Sequence, residues 1–155
     1  MKKVYEHLEE AIGVLLLAIM ALLAFANVVT RYFVQFSFAF TEEVEVAFLV
    51  WLTMLGTAAG FRRGVHLGFG LLALRFPALG RKVLAPIAIG LTIATFAVLF
   101  YYSFFQIRDE MALRITSEAL GIPQWWYTLA LPVGAVLVSL RVIEAGWKEY
   151  KLRQD

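Results

Sequence analysis

The sequence predicts an all-α membrane protein with four transmembrane helices, and three observations lead to this fold class. The 155 residues are 61% hydrophobic and their mean hydropathy is +0.76, well above the composition of soluble domains. Four long stretches contain no Asp, Glu, Lys or Arg, and none shows the polar–apolar alternation of transmembrane β-strands. Because backbone polar groups in lipid must bond within their own segment, each stretch is expected to be a helix.

The four uncharged stretches define the spans of a single membrane domain, residues 1–155. Residues 11–30 form the first, which as a helix rises about 30 Å, the thickness of the hydrocarbon core. Residues 46–61 form the second, which we extend to Thr41 because threonine is a favourable N-cap. Residues 83–107 and 119–140 form the third and fourth. We predict transmembrane helices at about 10–33, 42–62, 83–106 and 122–143.

The basic residues predict the orientation of these helices. Of the 14 Lys and Arg, 11 fall at the two ends of the chain and between the second and third spans, and 3 fall in the other loops. The positive-inside rule therefore predicts an N-in/C-in topology, with both termini cytoplasmic. Residues 65–79 are too short to span and end near Pro77, so we predict a short amphipathic segment on the cytoplasmic surface.

The first span also has features of a secretory signal peptide. Two lysines precede the apolar run, and the small residues Ala24 and Ala26 imitate a cleavage site. Three glutamates interrupt the positive region, and the apolar run continues through Val28 and Val29. We therefore expect the first span to be retained as a transmembrane helix.

Several charged residues are predicted to lie on the outer face, and they have two interpretations. They are Arg31, Glu42, Glu43, Glu45, Arg108 and Arg114. The acids fit a solvated helix start, where negative charge favours the helix dipole. They also fit ion pairs with Arg31, or a docking site for an extracytoplasmic partner. The four-residue spacing of Glu110 and Arg114 favours a third helix that continues beyond the bilayer.

Small residues on the second span are candidates for helix packing. Gly56, Gly60 and Gly64 recur every four residues, a spacing that lets two helix backbones approach closely, within the chain or with a partner. Ala130 and Gly134 repeat the pattern more weakly. A further packing candidate is Asn27, a polar residue at lipid depth that is expected to bond to another helix.

A short motif is expected to form the outer turn before the fourth helix. Gly121 permits a turn, Pro123 suits the first helical turn, and Trp125 sets the depth of the helix. Ser117 opens the motif.

The inner end of the second span carries Arg62, Arg63 and His66, which we interpret as a cytoplasmic anchor near anionic lipid. His66 and His7 both lie at a membrane edge, which disfavours a haem between them. The sequence has no cysteine, no Ser/His/Asp set and no phosphate loop, so we expect neither enzymatic activity nor a cofactor. Ion-coupled carriers place ionisable residues at midspan, and this sequence has none there.

An ordered set of motifs in this chain resembles the small membrane subunit of tripartite ATP-independent periplasmic (TRAP) transporters, the DctQ-like family. The set spans nearly the whole chain. Its members are Asn27-x3-Arg31-Tyr32, Glu42-Glu43, Trp51, Gly56, Arg62-Arg63-Gly64-x-His66, Ser117-x-Ala119-Leu120-Gly121-Ile122-Pro123-x-Trp125 and Pro132. Phe40 departs from the family, which often has Trp before the acidic pair.

The resemblance implies a scaffold role in the cytoplasmic (inner) membrane of a bacterium or archaeon. In that family, a periplasmic binding protein delivers an organic acid to a large multi-helix permease subunit, which holds the substrate and sodium sites. This chain would pair one to one with the large subunit, contact membrane lipids, and help form the outer docking surface. No nucleic acid partner is expected.

Two alternatives stay open from the residues alone. One is a free-standing small four-helix exporter, although such exporters carry a carboxylate within the first helix and this chain does not. The other is a non-transport membrane assembly factor. A large permease gene and a binding-protein gene beside this one would favour the transporter subunit over both.

Overall fold

A computed structural model of the chain describes residues 2–33, 39–62 and 85–151, which form helices and no sheet. Four stretches in these ranges are long and apolar enough to cross a membrane: Leu8–Phe33, Ala39–Arg62, Pro86–Ala112 and Trp125–Trp147. This confirms the predicted all-α membrane fold with four spans. The helices are α1 (Lys2–Phe33), α2 (Ala39–Arg62), α3 (Ala85–Ala112), α4 (Trp125–Thr128) and α5 (Ala130–Lys151).

The fourth span contains two of these helices, because α4 and α5 are separated by Leu129 alone. The backbone N–H of Leu129 donates to the carbonyl oxygens of Trp125 and Tyr127, so the chain continues in nearly helical form. Predicted features outside the described residues are the amphipathic segment at 65–79, Arg63, Gly64 and His66.

Two predicted helix boundaries are wrong. Thr41 is not an N-cap, because α2 already begins at Ala39 and Thr41 is only 2% exposed within the helix. At the same end of the molecule α3 continues past residue 106 but stops at Ala112, and Arg114 lies in a turn with φ +50°. Arg114 is therefore not on a helical face with Glu110, so the expected pair does not form.

The four spans contact one another in a single series, which we call the helix row. The extensive helix–helix contacts in the described ranges are those of α1 with α2, α2 with α5, and α5 with α3. The order in the row is therefore α1, α2, α5, α3. The two edge helices leave large apolar side chains exposed, among them Phe25 on α1 and Leu91 on α3. Such exposure suits lipid or a protein partner and not water.

The tightest packing is between α2 and α5. Ala58 of α2 and Val138 of α5 are fully inaccessible to solvent, and Val142 adds to the same cluster. Gly134 makes the closest approach, because a Cβ atom at this position would lie 2.4 Å from Cγ of Met54. The weaker small-residue pair, Ala130 and Gly134, thus lies at the main contact between helices. Residues of α3, including Ile93, cover the cluster from the other side.

Gly56 and Gly60 of the second span do not take part in this packing. A Cβ atom at Gly56 or at Gly60 would meet nothing within 4 Å in the part of the chain that the structure describes. These two positions of α2 are therefore open, although Leu52, one turn before Gly56, lies close to Gly13 of α1. The within-chain form of the packing prediction is wrong for these two residues, because α5 packs on the face of α2 that carries Met54 and Ala58.

Candidate functional site

The segment between α3 and α4, residues 113–124, folds back on itself and is called here the α3–α4 loop. The Ser117 amide donates to the Ile122 carbonyl at 2.8 Å, and the Gly121 amide donates to the Ser117 carbonyl at 3.1 Å. Gly121 has φ +66°, a conformation that favours glycine, as expected for a turn. A bridge between Thr116 and Pro123 joins the two ends of this turn. The loop is thus closed by its own backbone hydrogen bonds.

Glu43 connects this loop to α2. The Ala119 amide donates a hydrogen bond to Oε2 of Glu43 at 3.0 Å. The Leu120 amide and the hydroxyl groups of Ser117 and Tyr127 face the same carboxylate. Oε1 of Glu43, Oγ of Ser117 and the Tyr127 hydroxyl oxygen are all shielded from solvent, although their mutual geometry is short of ideal hydrogen bonds. We call this arrangement the Glu43 cluster.

A second buried carboxylate ties α3 to the start of the fourth span. Oε1 of Glu110 accepts a hydrogen bond from the Thr128 hydroxyl at 2.9 Å and another from Nε2 of Gln106 at 3.1 Å. Glu110 is 6% exposed. The partners of this carboxylate are therefore neutral donors within the helix row, whereas Arg114 is exposed.

A cleft of about 430 Å³ lies beside the Glu43 cluster, between α2 and the fourth span. Most of its surface is apolar, and its acidic members come from the first turns of α2. The lining residues are Glu42, Glu43, Val46, Ala47, Val50, Gln124, Tyr127, Thr128 and Leu131.

The remaining charged residues predicted to lie on the outer face differ in exposure. Arg31, Glu42 and Arg108 are exposed, and the Arg108 guanidinium lies 6.0 Å from the centre of the Phe105 ring. In the described ranges Arg31 forms no ion pair with Glu42 or with Glu45. Glu45 is half-buried, and its Oε1 is shielded from solvent. The structure thus brings Glu43 together with Ser117, and leaves Arg31 apart from the acids.

Two of the predicted packing and turn residues, Asn27 and Trp125, have clear places in the structure. Asn27 is half-buried on α1, and its carbonyl accepts a hydrogen bond from the Thr30 hydroxyl at 3.0 Å. The Trp125 ring stacks on the Trp126 ring, with centroids 4.7 Å apart, at the start of the fourth span. Stacked indoles at a span end suit the interfacial depth expected for Trp125.

At the opposite end of α2, an ion-pair cluster joins three helices. Oε1 of Glu9 on α1 accepts a hydrogen bond from Nε of Arg141 at 2.6 Å, and Nη2 of the same arginine lies 2.5 Å away as an ion pair. Arg62 of α2 pairs with Glu10, and its Nε lies 3.8 Å from Oε2 of Glu9. Glu144 binds Nη1 of Arg141 at 2.7 Å. We call these five residues the Glu9 cluster. Arg62 is thus engaged in the protein, in addition to any contact with lipid.

Sequence reasoning missed the Glu9 cluster. The available signal was that Glu9, Arg62 and Arg141 each stand beside an uncharged stretch, so that all three lie near one membrane edge. The sequence did not indicate which spans are neighbours. In the ranges that the structure describes, no three His, Cys, Asp or Glu side chains are grouped so that they can hold a metal ion.

Comparison with known proteins identifies the family. A profile described as tripartite ATP-independent periplasmic transporters, DctQ component, matches residues 20–151. The C4-dicarboxylate TRAP transporter small permease protein DctQ of Vibrio cholerae is 25% identical, over 92% of this chain and 71% of that protein. The ectoine TRAP transporter small permease protein TeaB of Halomonas elongata is 27% identical, over 86% of this chain and 67% of that protein.

A longer relative matches as well. The sialic acid TRAP transporter permease protein SiaT of Haemophilus influenzae is 28% identical, over 96% of this chain but only 24% of its own length. The family profile covers most of the chain, including the second half of the first span, the other three spans and the Glu43 cluster. The chain belongs to the DctQ component family of tripartite ATP-independent periplasmic transporters.

Proposed function

We propose that this chain is the small membrane subunit of a TRAP transporter that imports an organic acid, driven by an ion gradient, with sodium bound on the large subunit. The observation that carries the proposal is the family match over residues 20–151. It is supported by the absence of ionisable residues from the middle of each uncharged stretch, because a carrier that bound its own ions would need them there. The relatives named for C4-dicarboxylate, ectoine and sialic acid support a carboxylate-bearing substrate.

The main partner that we propose is a large multi-helix permease subunit, in one-to-one stoichiometry. Support comes from SiaT, in which a segment that resembles this whole chain is part of a much longer permease. The contact that we propose is the open face of α2 around Gly56 and Gly60, because small residues there allow a partner helix to approach closely. Lipid covers the apolar surface that the partner leaves exposed.

A periplasmic binding protein is the second proposed partner. The outer candidates that are exposed are Arg31, Glu42, Arg108 and Arg114. Charges at the rim of an interface raise the encounter rate and set the orientation of the two partners, and salt weakens both effects. The excess of Lys and Arg at the other membrane face supports an inner-membrane orientation with both termini cytoplasmic.

Co-purification tests the proposed function most directly. The tagged chain is expressed with its genomic neighbours, extracted in mild detergent, and its partners are identified by mass spectrometry. We expect a large permease at equimolar amount. A chain that purifies alone as a stable homo-oligomer would contradict the proposal and favour the free-standing exporter, and a non-permease partner would favour the assembly factor.

Gly60→Leu tests the proposed contact with the large subunit. Because the position is open in this chain, the added side chain is accommodated in the small subunit but blocks a closely packed partner. We therefore expect the yield of the complex to fall. Gly90→Leu is the control, since Gly90 on α3 is equally open. Equal yields from Gly60→Leu, Gly90→Leu and the wild type would contradict the proposed contact.

Arg31→Glu tests the docking surface. In reconstituted vesicles we expect slower uptake when the binding protein is limiting, and normal uptake when it is saturating, because a rim charge acts mainly on encounter. The defect should shrink as salt is raised. Unchanged uptake at limiting binding protein would exclude Arg31 from docking.

A further inference from the structure

Glu42 and Glu43 are adjacent in the sequence but have different surroundings. Glu42 is exposed at the rim of the cleft. Glu43 is half-buried, and its carboxylate faces two backbone amides and two hydroxyl groups. An ionised carboxylate only accepts hydrogen bonds, and bonds to a charged acceptor are stronger than neutral ones. The two acids are thus suited to different tasks.

The α3–α4 loop depends on Glu43 for its position against α2. Ser117 is the one residue of the loop that is buried, and it lies against Glu43. Leu120 and Ile122 are exposed, so they contribute little apolar packing against the helix row. The backbone hydrogen bonds of the loop fix its shape, but they do not fix its distance from α2. The hydrogen bond from the Ala119 amide to Oε2 of Glu43 spans this gap.

The loop also carries exposed groups suited to an interface. Arg114 and Glu118 offer charges of both signs, and Leu113, Leu120 and Ile122 offer exposed apolar surface. An interface needs such groups in a fixed arrangement, because ordering a mobile segment on binding lowers the affinity. A loop that is already held in place avoids that loss.

We propose that Glu43 is a positioning residue, which holds the α3–α4 loop in the arrangement that the binding protein contacts. This inference rests on the proposed function, since it takes a periplasmic binding protein as the partner. Glu43 does not itself contact the binding protein. Its effect on docking passes through the Ala119 amide and the loop, whereas Glu42 is an exposed charge.

Hydrogen exchange of the loop separates these roles. The experiment uses the full complex with the large permease, and compares Glu43→Ala, Glu43→Gln and Glu42→Gln with the wild type. In Glu43→Ala we expect exchange of the peptide around Ala119 to accelerate about tenfold, because its amide loses a charge-assisted bond. Glu43→Gln keeps an acceptor oxygen and should restore part of the protection. Glu42→Gln should leave exchange unchanged.

Affinity for the binding protein encoded beside the permease gene completes the test, measured at low and at high salt. We expect Glu43→Ala to weaken binding several-fold at both salt concentrations, because loop order does not depend on screening. Any loss in Glu42→Gln should disappear at high salt. Unchanged exchange in Glu43→Ala would overturn the positioning role, and accelerated exchange with unchanged affinity would overturn the docking role of the loop. A wild-type complex that binds no binding protein would instead contradict the proposed function.

Discussion

Replacing Glu9 by glutamine tests whether the Glu9 cluster holds α1 in the helix row. The substitution keeps the size of the side chain and removes the charge that Arg141 and Arg62 share. Within the described ranges α1 has extensive contacts with α2 alone, and the pair of Glu9 and Arg141 connects α1 to α5.

The expected loss of stability depends on which ion pairs each arginine keeps after Glu9 is replaced. Breaking a buried ion pair costs about 3–5 kcal/mol when the remaining charge has no partner. Here Arg141 keeps Glu144 at 2.7 Å, and Arg62 keeps Glu10. The relevant value is therefore that of hydrogen bonds to a charged group, about 1.5–3 kcal/mol. The cluster has three carboxylates and two guanidinium groups, so loss of one acid also relieves repulsion. We expect Glu9→Gln to lower the free energy of unfolding by about 2 kcal/mol.

Glu144→Gln is the matched control. The Glu144 side chain is 43% exposed, whereas that of Glu9 is 7% exposed. Its bond to Arg141 is an exposed helical pair three residues apart, worth about 0.5 kcal/mol or less. Both variants remove one negative charge from the same arginine, so the comparison isolates burial and the connection between helices.

Reversible unfolding in mixed detergent micelles, followed by circular dichroism and tryptophan fluorescence, measures both variants. A double-mutant cycle with Arg141→Met gives the coupling energy of Glu9 and Arg141, which we expect to be about 1 kcal/mol or more. Equal losses for Glu9→Gln and Glu144→Gln, or a coupling near zero, would show that the cluster does not stabilise the helix row.

Two further predictions concern the contacts of the fourth span. Gly134→Ala should destabilise the fold by about 1–3 kcal/mol, since its Cβ would lie 2.4 Å from Met54 Cγ and 2.6 Å from Met54 Cβ. Gly56→Ala is the control, because the space around Gly56 is open, and it should be neutral or stabilise the fold by up to about 1 kcal/mol. Equal effects of the two substitutions in the same unfolding titration would contradict the close approach of α2 and α5. Thr128→Val should lower the free energy of unfolding by about 1–3 kcal/mol, because buried Glu110 loses a hydrogen-bond donor. Thr128→Ser keeps the hydroxyl group and should keep the wild-type stability. An equally large loss in Thr128→Ser would show that the effect comes from packing and not from the hydrogen bond.

The spans were predictable because the thickness of the hydrocarbon core sets how many consecutive uncharged residues each span needs. Arg31 and Arg62 bound uncharged stretches, and the helices α1 and α2 end at or near those residues. The helix starts and stops were less predictable. Thr41 has the chemistry of an N-cap, but packing places it inside a helix that begins earlier. Arg114 has helical spacing from Glu110, but the loop turns before the spacing is completed.

The polar clusters could not be predicted, because they depend on which spans are neighbours. Glu43 and Ala119 are 76 positions apart, and Glu9 and Arg141 are 132 apart. Several orders of four antiparallel spans are compatible with the same hydropathy pattern. The identity of the glycine at the main helix contact depends on the same information, so Gly56 and Gly60 received more weight from the sequence than Gly134.

The order of the helix row has a consequence for biosynthesis. Along the chain α5 follows α3, yet in space it lies between α2 and α3. When the spans enter the membrane in sequence, α1 and α2 can associate at once, whereas α3, which has no extensive contact with either in the described ranges, stays surrounded by lipid. The pair of α1 and α2 becomes connected to α3 only when α5 enters the membrane. Assembly is thus completed in a late step, and until then the α2 surface that will receive Val138 and Gly134 is open to other membrane helices.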